Sequence, residues 1–183
     1  MHRFLIRGAL AAAFATALAS APAQAQEAFV GLNAHEVDTP FTLHTGESGV
    51  DLVAGYRFGR VEALGFIGKP QPYVIVSANT AGDTSFAGAG LGWTLGKGPV
   101  YVRPAVGLVV HDGPGRRVDL VTRQHTELGS RVLFEPELGI GYRVSPRLSV
   151  EANWTHVSHA RLFNATQNPG IDMIGARINL RLP

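Results

Sequence analysis

Between Val132 and Arg143 the chain reads VLFEPELGIGYR, and its residue types change with a period of two. Val132, Phe134, Pro136, Leu138, Ile140 and Tyr142 fall on one face. Arg131, Glu135, Glu137, Gly139, Gly141 and Arg143 fall on the other. A helix would scatter both sets around its axis, so the segment is a strand with two different surroundings. A water-soluble sandwich or lipocalin-like barrel also alternates, with its apolar face inside. Here the opposite face mixes charges of both signs with glycines, which suits a narrow, packed polar interior. The apolar face is then the outside, and the solvent there is lipid.

The same alternation recurs along the chain. Val102, Val106, Leu108 and Val110 stand opposite Tyr101, Arg103, Ala105 and Gly107. Ile174, Ala176, Ile178, Leu180 and Leu182 stand opposite Gly175, Arg177, Asn179 and Arg181. Turn residues divide the chain into eight strands, at about 29–37, 48–58, 70–79, 84–95, 100–111, 128–144, 147–159 and 171–182. Residues 60–69 belong to a longer third strand or to a turn. The expected fold is all-β: an eight-stranded antiparallel up-and-down transmembrane β-barrel formed by residues 26–183.

The first 25 residues stand apart. Arg3 and Arg7 precede an alanine-rich apolar run that exits through Ala23-Gln24-Ala25, the pattern of a secretory signal peptide cleaved after Ala25. Export agrees with an outer-membrane destination. The chain has no cysteine, so disulfides and thiolate metal sites are excluded, and closing a sheet into a barrel is one remaining route to stability. Lys+Arg number 16 against 14 Asp+Glu, and losing Arg3 and Arg7 with the leader balances them. A neutral mature chain argues against a nucleic-acid partner.

Connections order the barrel in the membrane. Gly96-Lys97-Gly98-Pro99 and Val144-Ser145-Pro146 are tight, whereas 111–127 and 159–170 are long. With both termini periplasmic, the tight turns lie inside and the long loops outside. The seventh strand therefore climbs outward, and its apolar set Leu148, Val150, Ala152 and Trp154 continues into His156 and Ser158. Asp172 shares the parity of Ile174 and Ala176, so it too faces lipid at the outer end of the eighth strand.

A serine, a histidine and a carboxylate on one patch have a known use. Serine is a weak nucleophile until a base takes its proton during attack on an ester. Histidine titrates in the right range, and a carboxylate fixes its tautomer and stabilises the imidazolium. His156 and Ser158 lie about 7 Å apart along a strand, within reach of side chains that lean together. The plain alternative is that polar residues commonly end an apolar band where the headgroups begin. The abundant ester beside such a site is lipid.

His156-Val157-Ser158-His159-Ala160, with Asn168-Pro169-Gly170-Ile171-Asp172 and a final strand, resembles the motifs of the lipid A 3-O-deacylase (PagL) family of outer-membrane barrels. Gly139 to Trp154 is similar to the strand-turn-strand leading into that motif. The resemblance implies hydrolysis of the ester-linked acyl chain at the 3-position of lipid A, in the outer leaflet. Ser158 would be nucleophile, His156 general base and Asp172 the orienting acid. Substrate contacts would come from His159, Ala160, Arg161, Asn168 and Gly170, and no metal or organic cofactor would be needed. The family usually has asparagine where this chain has His159, glycine where it has Arg161, and glutamate where it has Asp172. The first two changes fall where the family builds its oxyanion hole.

Other residues admit two readings. Arg116 and Arg117, with Arg123, suit the phosphates of lipopolysaccharide, and a solvated loop accounts for them equally. His111 and His125 fit that solvated loop. His156 and His159 point to opposite faces, unlike a metal pair. Glu135, Glu137 and Glu151 with Arg103, Arg131, Arg143 and Arg177 fit an ion-paired plug better than buried acid–base chemistry. Two readings compete with the esterase: a non-enzymatic barrel with a structural or adhesive role, and a soluble barrel carrying an apolar ligand.

Overall fold

The computed structural model describes residues 26–162 and 167–183; the expected signal peptide lies outside them. Eight strands run β1 (Glu27–Ala34), β2 (Val50–Arg57), β3 (Gln71–Asn79), β4 (Phe86–Gly92), β5 (Val100–His111), β6 (Val132–Arg143), β7 (Leu148–Val157) and β8 (Ile171–Arg181). Each pairs antiparallel with the next, and β8 pairs with β1, which closes the barrel. Closure leaves every central strand with two neighbours and no exposed edge. The segment left open at 60–69 is a turn: a 3-10 helix, Glu62–Ile67, joins β2 to β3 and stops at Gly68 with φ +90°.

Alternation appears as expected. Val30, Leu32 and Ile178 on the outer face are 60%, 56% and 52% exposed, while Phe29, Asn33 and Asn179 inside are buried. An exposed apolar belt running round a whole barrel is unstable in water and suited to lipid.

The interior has two layers. Towards the end that carries the chain termini, Arg57, Arg103 and Arg177 interlock with Glu27, Glu137 and Glu151. Arg177 Nη2 meets Glu137 Oε2 at 2.7 Å, Arg103 Nη1 meets Glu151 Oε2 at 2.8 Å, and Arg57 Nη1 meets Glu27 Oε1 at 2.8 Å. Arg57 and Arg177 also sit against the Phe29 ring, 4.1 and 5.0 Å from its centroid. Inward glycines make room for such rings: a Cβ at Gly55 would lie 2.2 Å from Phe29 Cζ, and one at Gly141 would lie 2.1 Å from Tyr101 Cζ. Towards the outer half the lumen turns apolar, with Phe86, Val109, Leu133, Val157, Ile171 and Met173 in one cluster. The sequence suggested a narrow, packed polar interior. The difference arises because these residues share the inward parity of the charged ones but occupy the outer ends of their strands.

Above that layer the first external loop (residues 35–49) is locked at both ends. His35 Nδ1 lies 2.9 Å from Asp51 Oδ2, and its Nε2 lies 2.8 Å from Glu47 Oε2. Glu47 also accepts from Thr84 Oγ1 at 2.8 Å and Arg117 Nη2 at 2.8 Å, joining loops one, two and three. Burial alone would lower the His35 pKa, but hydrogen bonds and charge from Asp51 and Glu47 outweigh it and raise it to about 9. Glu47, which burial would raise, is brought down to about 2 chiefly by His35, Thr84 and Arg117. The raised His35 contribution is therefore complete below about pH 6.5 and lost as pH rises through about 9; the lowered Glu47 contribution is complete above about pH 4.5 and lost as pH falls through about 2. Hydrogen exchange of residues 36–46 is expected to quicken, beyond the intrinsic base-catalysed rate, between pH 7 and 9.5 in the parent. That excess should disappear in His35→Gln, and an equal excess in the variant would refute the assignment.

Candidate functional site

The β7–β8 register sets His156 directly opposite Asp172, Trp154 opposite Ile174 and Ala152 opposite Ala176, all on the outer wall. His156 Nδ1 is 2.8 Å from Asp172 Oδ1. A histidine anchored through Nδ1 to a carboxylate presents Nε2 as the working nitrogen. Ser158 follows two residues beyond on the same face, and its backbone is fixed to β6: Phe134 N donates to Ser158 O at 2.8 Å and Ser158 N to Phe134 O at 3.1 Å. Contact thus joins His156 to Asp172, and Ser158 stands beyond them on the same outward face, at the end of β7.

The patch is drier than a lipid-facing position would suggest. Asp172 is 0% exposed and Ser158 is 6% exposed. The cover is the first external loop, which leaves the barrel mouth and lies down over the wall. Val37 N donates to Asp172 O at 2.8 Å, and Leu43 N donates to Pro169 O at 2.9 Å. Thr39 Oγ1 donates to Asp172 Oδ2, and Trp154 Nε1 donates to Asp172 Oδ1 at 3.0 Å. Phe41 then packs on Trp154 with ring centroids 6.0 Å apart, and Trp154 lies 6.0 Å from the His156 ring.

Sequence reading missed Thr39 and Phe41, which sit in an aperiodic loop far along the chain. It also read Trp154 only as part of the apolar face. The signal available for Trp154 was its parity: two residues before His156 on the same face, it points its indole N–H at the same carboxylate.

Residues 158–162 and 167–170 frame the other side. Ala160 and Arg161 both take left-handed backbone conformations, φ 52° and φ 60°. That is the conformation for which glycine is best suited, so the expected glycine at Arg161 has a structural reason, and arginine keeps the bend at a cost of about 1 kcal/mol. His159 is fully buried, with Nε2 2.8 Å from Gln167 O, and its backbone N donates to Asn168 Oδ1 at 3.1 Å. The Asn168 oxygen is thereby committed, which leaves its amide N–H groups as the donors it can offer a ligand. Gly170, at φ 64°, lies flat on the imidazole: a Cβ there would fall 2.7 Å from His156 Cε1 and 3.3 Å from Nε2.

The arginines of the third loop separate. Arg117 turns inward to Glu47 and Thr126, and Arg116 remains exposed.

A protein-family model described as Lipid A 3-O-deacylase (PagL) matches residues 44–181. No curated protein matches the chain by sequence. Among solved structures, the outer membrane enzyme PagL is similar at 14% identity, with TM-score 0.58, covering 85% of this chain and 99% of that one. The N-terminal β-barrel domain of Pseudomonas aeruginosa OprF is similar at 7% identity and TM-score 0.56, covering 87% and 98%. Neisserial surface protein A follows at 10% identity and TM-score 0.51, covering 86% and 97%. At such identities these likenesses speak to the fold, an outer-membrane barrel.

Proposed function

Because this chain belongs to the lipid A 3-O-deacylase (PagL) family, we propose that it hydrolyses the ester-linked acyl chain at the 3-position of lipid A, using Ser158, His156 and Asp172. The observation that carries this reading is the 2.8 Å contact of His156 Nδ1 with the buried Asp172, on the outward face that Ser158 shares. Ser158 Oγ attacks the ester carbonyl while His156 Nε2 accepts its proton, and Asp172 stabilises the resulting imidazolium. Collapse of the tetrahedral intermediate returns that proton to the departing sugar 3-oxygen and leaves the acyl group on Ser158. Water, deprotonated by the same histidine, then releases the fatty acid and restores the serine.

The oxyanion needs donors beside Ser158. Backbone amides at the left-handed Ala160–Arg161 bend and the Asn168 amide are the groups at hand, and preorganised donors of this kind contribute about 3–4 kcal/mol each. Among the residues expected at the substrate, His159 has a different part in this reading: it braces the loop carrying Asn168. Arg116 and Arg123 are exposed third-loop cations left to meet a lipid A phosphate.

Mass spectrometry of lipid A from cells expressing the protein tests the reaction. Loss of one 3-hydroxyacyl chain relative to cells without it is the expected result. Unchanged lipid A beside correctly folded barrel would leave the non-enzymatic reading standing.

Gly170 offers a separate check on the site. Gly170→Ala places a methyl group against the His156 ring at a backbone angle that alanine resists. Deacylation is expected to fall by roughly 10- to 100-fold, the scale on which slight misplacement of a reacting group is felt. Barrel folding, followed by heat-modifiable gel migration, should persist. A fully active variant would show that His156 need not hold its present position.

A further inference from the structure

Within the proposed site, and resting on that reading, we infer that Thr39 is a positioning residue: the first external loop delivers its hydroxyl to Asp172 and completes the hydrogen-bonded cradle of the carboxylate.

The direction of the hydrogen bonds makes the case. Phe41 N donates to Thr39 Oγ1 at 3.1 Å, so the hydroxyl already serves as an acceptor. Its single proton is then directed at Asp172 Oδ2. The other carboxylate oxygen, Oδ1, receives His156 Nδ1 at 2.8 Å and Trp154 Nε1 at 3.0 Å. Thus the indole holds Oδ1 from the strand side and the threonine holds Oδ2 from the loop side. Together they fix the plane of the carboxylate that aims the imidazole. An aspartate has one fewer rotatable bond than a glutamate, and two donors besides the histidine leave it little freedom to swing away.

The loop is fixed where it does this. Val37 N bonds to Asp172 O and Leu43 N bonds to Pro169 O, so Thr39 lies between two backbone anchors on the β8 side of the site. His35 and Glu47, near the ends of the loop, bond to one another. The cover also keeps water from Asp172, which strengthens each of these contacts. Thr39 reaches the reacting groups only through Asp172, and its effect therefore falls on the chemical step.

The test uses the full-length barrel in detergent with purified lipid A, and compares the parent with Thr39→Val, Thr39→Ser and Ser158→Ala. Valine keeps the shape and methyl group of threonine but removes the hydroxyl; serine keeps the hydroxyl but removes the methyl. Thr39→Val is expected to lower kcat by roughly 10- to 100-fold, as loss of a hydrogen bond to a charged group would, with KM near the parental value. Thr39→Ser should recover most of the parental kcat. A loop that merely packs would lose more with serine than with valine, which would overturn the inference. Parental kcat in Thr39→Val, beside an inactive Ser158→Ala, would overturn it while leaving the hydrolytic site intact. Parental activity in Ser158→Ala would remove the site and this inference together.

Discussion

Ser158→Ala is expected to reduce lipid A deacylation by on the order of 10⁴-fold or more, with the barrel folded and inserted as in the parent. The expectation follows from what the other residues can still do. Without the hydroxyl there is no acyl-enzyme, and His156 can only assist direct attack by water, which must enter a patch where Asp172 has no exposed surface. Removing the serine or the histidine of such a trio costs nearly as much as removing all of it, because they act as one unit. His156→Ala in the Ser158→Ala background should accordingly add little. Release of fatty acid from purified lipid A, followed over time for the single and double variants, measures both points. A loss under tenfold for Ser158→Ala would mean that the nucleophile lies elsewhere.

The second large effect concerns stability. Glu151 is buried with three guanidinium groups around it: Arg103 Nη1 at 2.8 Å from Oε2, and Arg57 Nη2 and Arg177 Nε at 3.6 and 3.7 Å from Oε1. Glu151→Ala leaves those buried cations facing one another without the carboxylate that compensates them. Breaking a buried pair in this way costs about 3–5 kcal/mol, far more than the net worth of the pair against an apolar replacement. Equilibrium urea unfolding in detergent micelles, read by tryptophan fluorescence, should show the loss as an earlier midpoint. A midpoint unchanged from the parent would mean that the lumen admits enough water to solvate the arginines. Truncating an exposed ion pair, such as Lys69 with Glu62 in the β2–β3 turn, should have little effect by comparison.

These two sites also mark what a one-dimensional reading can and cannot reach. Parity is a local property, so it assigned Glu151 to the lumen and His156, Ser158 and Asp172 to the wall, and the register agrees with both. Eight strands emerged for the same reason: each carries its own period of two. Thr39 and Asp172 are 133 residues apart and meet only because the barrel closes and an aperiodic loop bends down over its outside. Nothing in the residues near Thr39 encodes that bend. Arg117 was legible as a cation but not as the partner of Glu47, since its direction depends on a carboxylate in another loop. At Arg161 the sequence departs from the expected glycine, yet the backbone still adopts the left-handed bend.

Because His156 lies on the side of the barrel, below its rim, with Asp172 covered behind it, the proposed reaction would draw its lipid by lateral diffusion within the leaflet. The governing concentration is therefore a mole fraction in two dimensions. Diluting detergent-dispersed substrate with inert amphiphile should slow turnover even when the bulk molarity of lipid A is held constant. In that reaction both products would share the geometry: the freed acid and the shortened lipid would depart sideways into the layer that supplied the ester, and compete with fresh substrate for the same strip of wall.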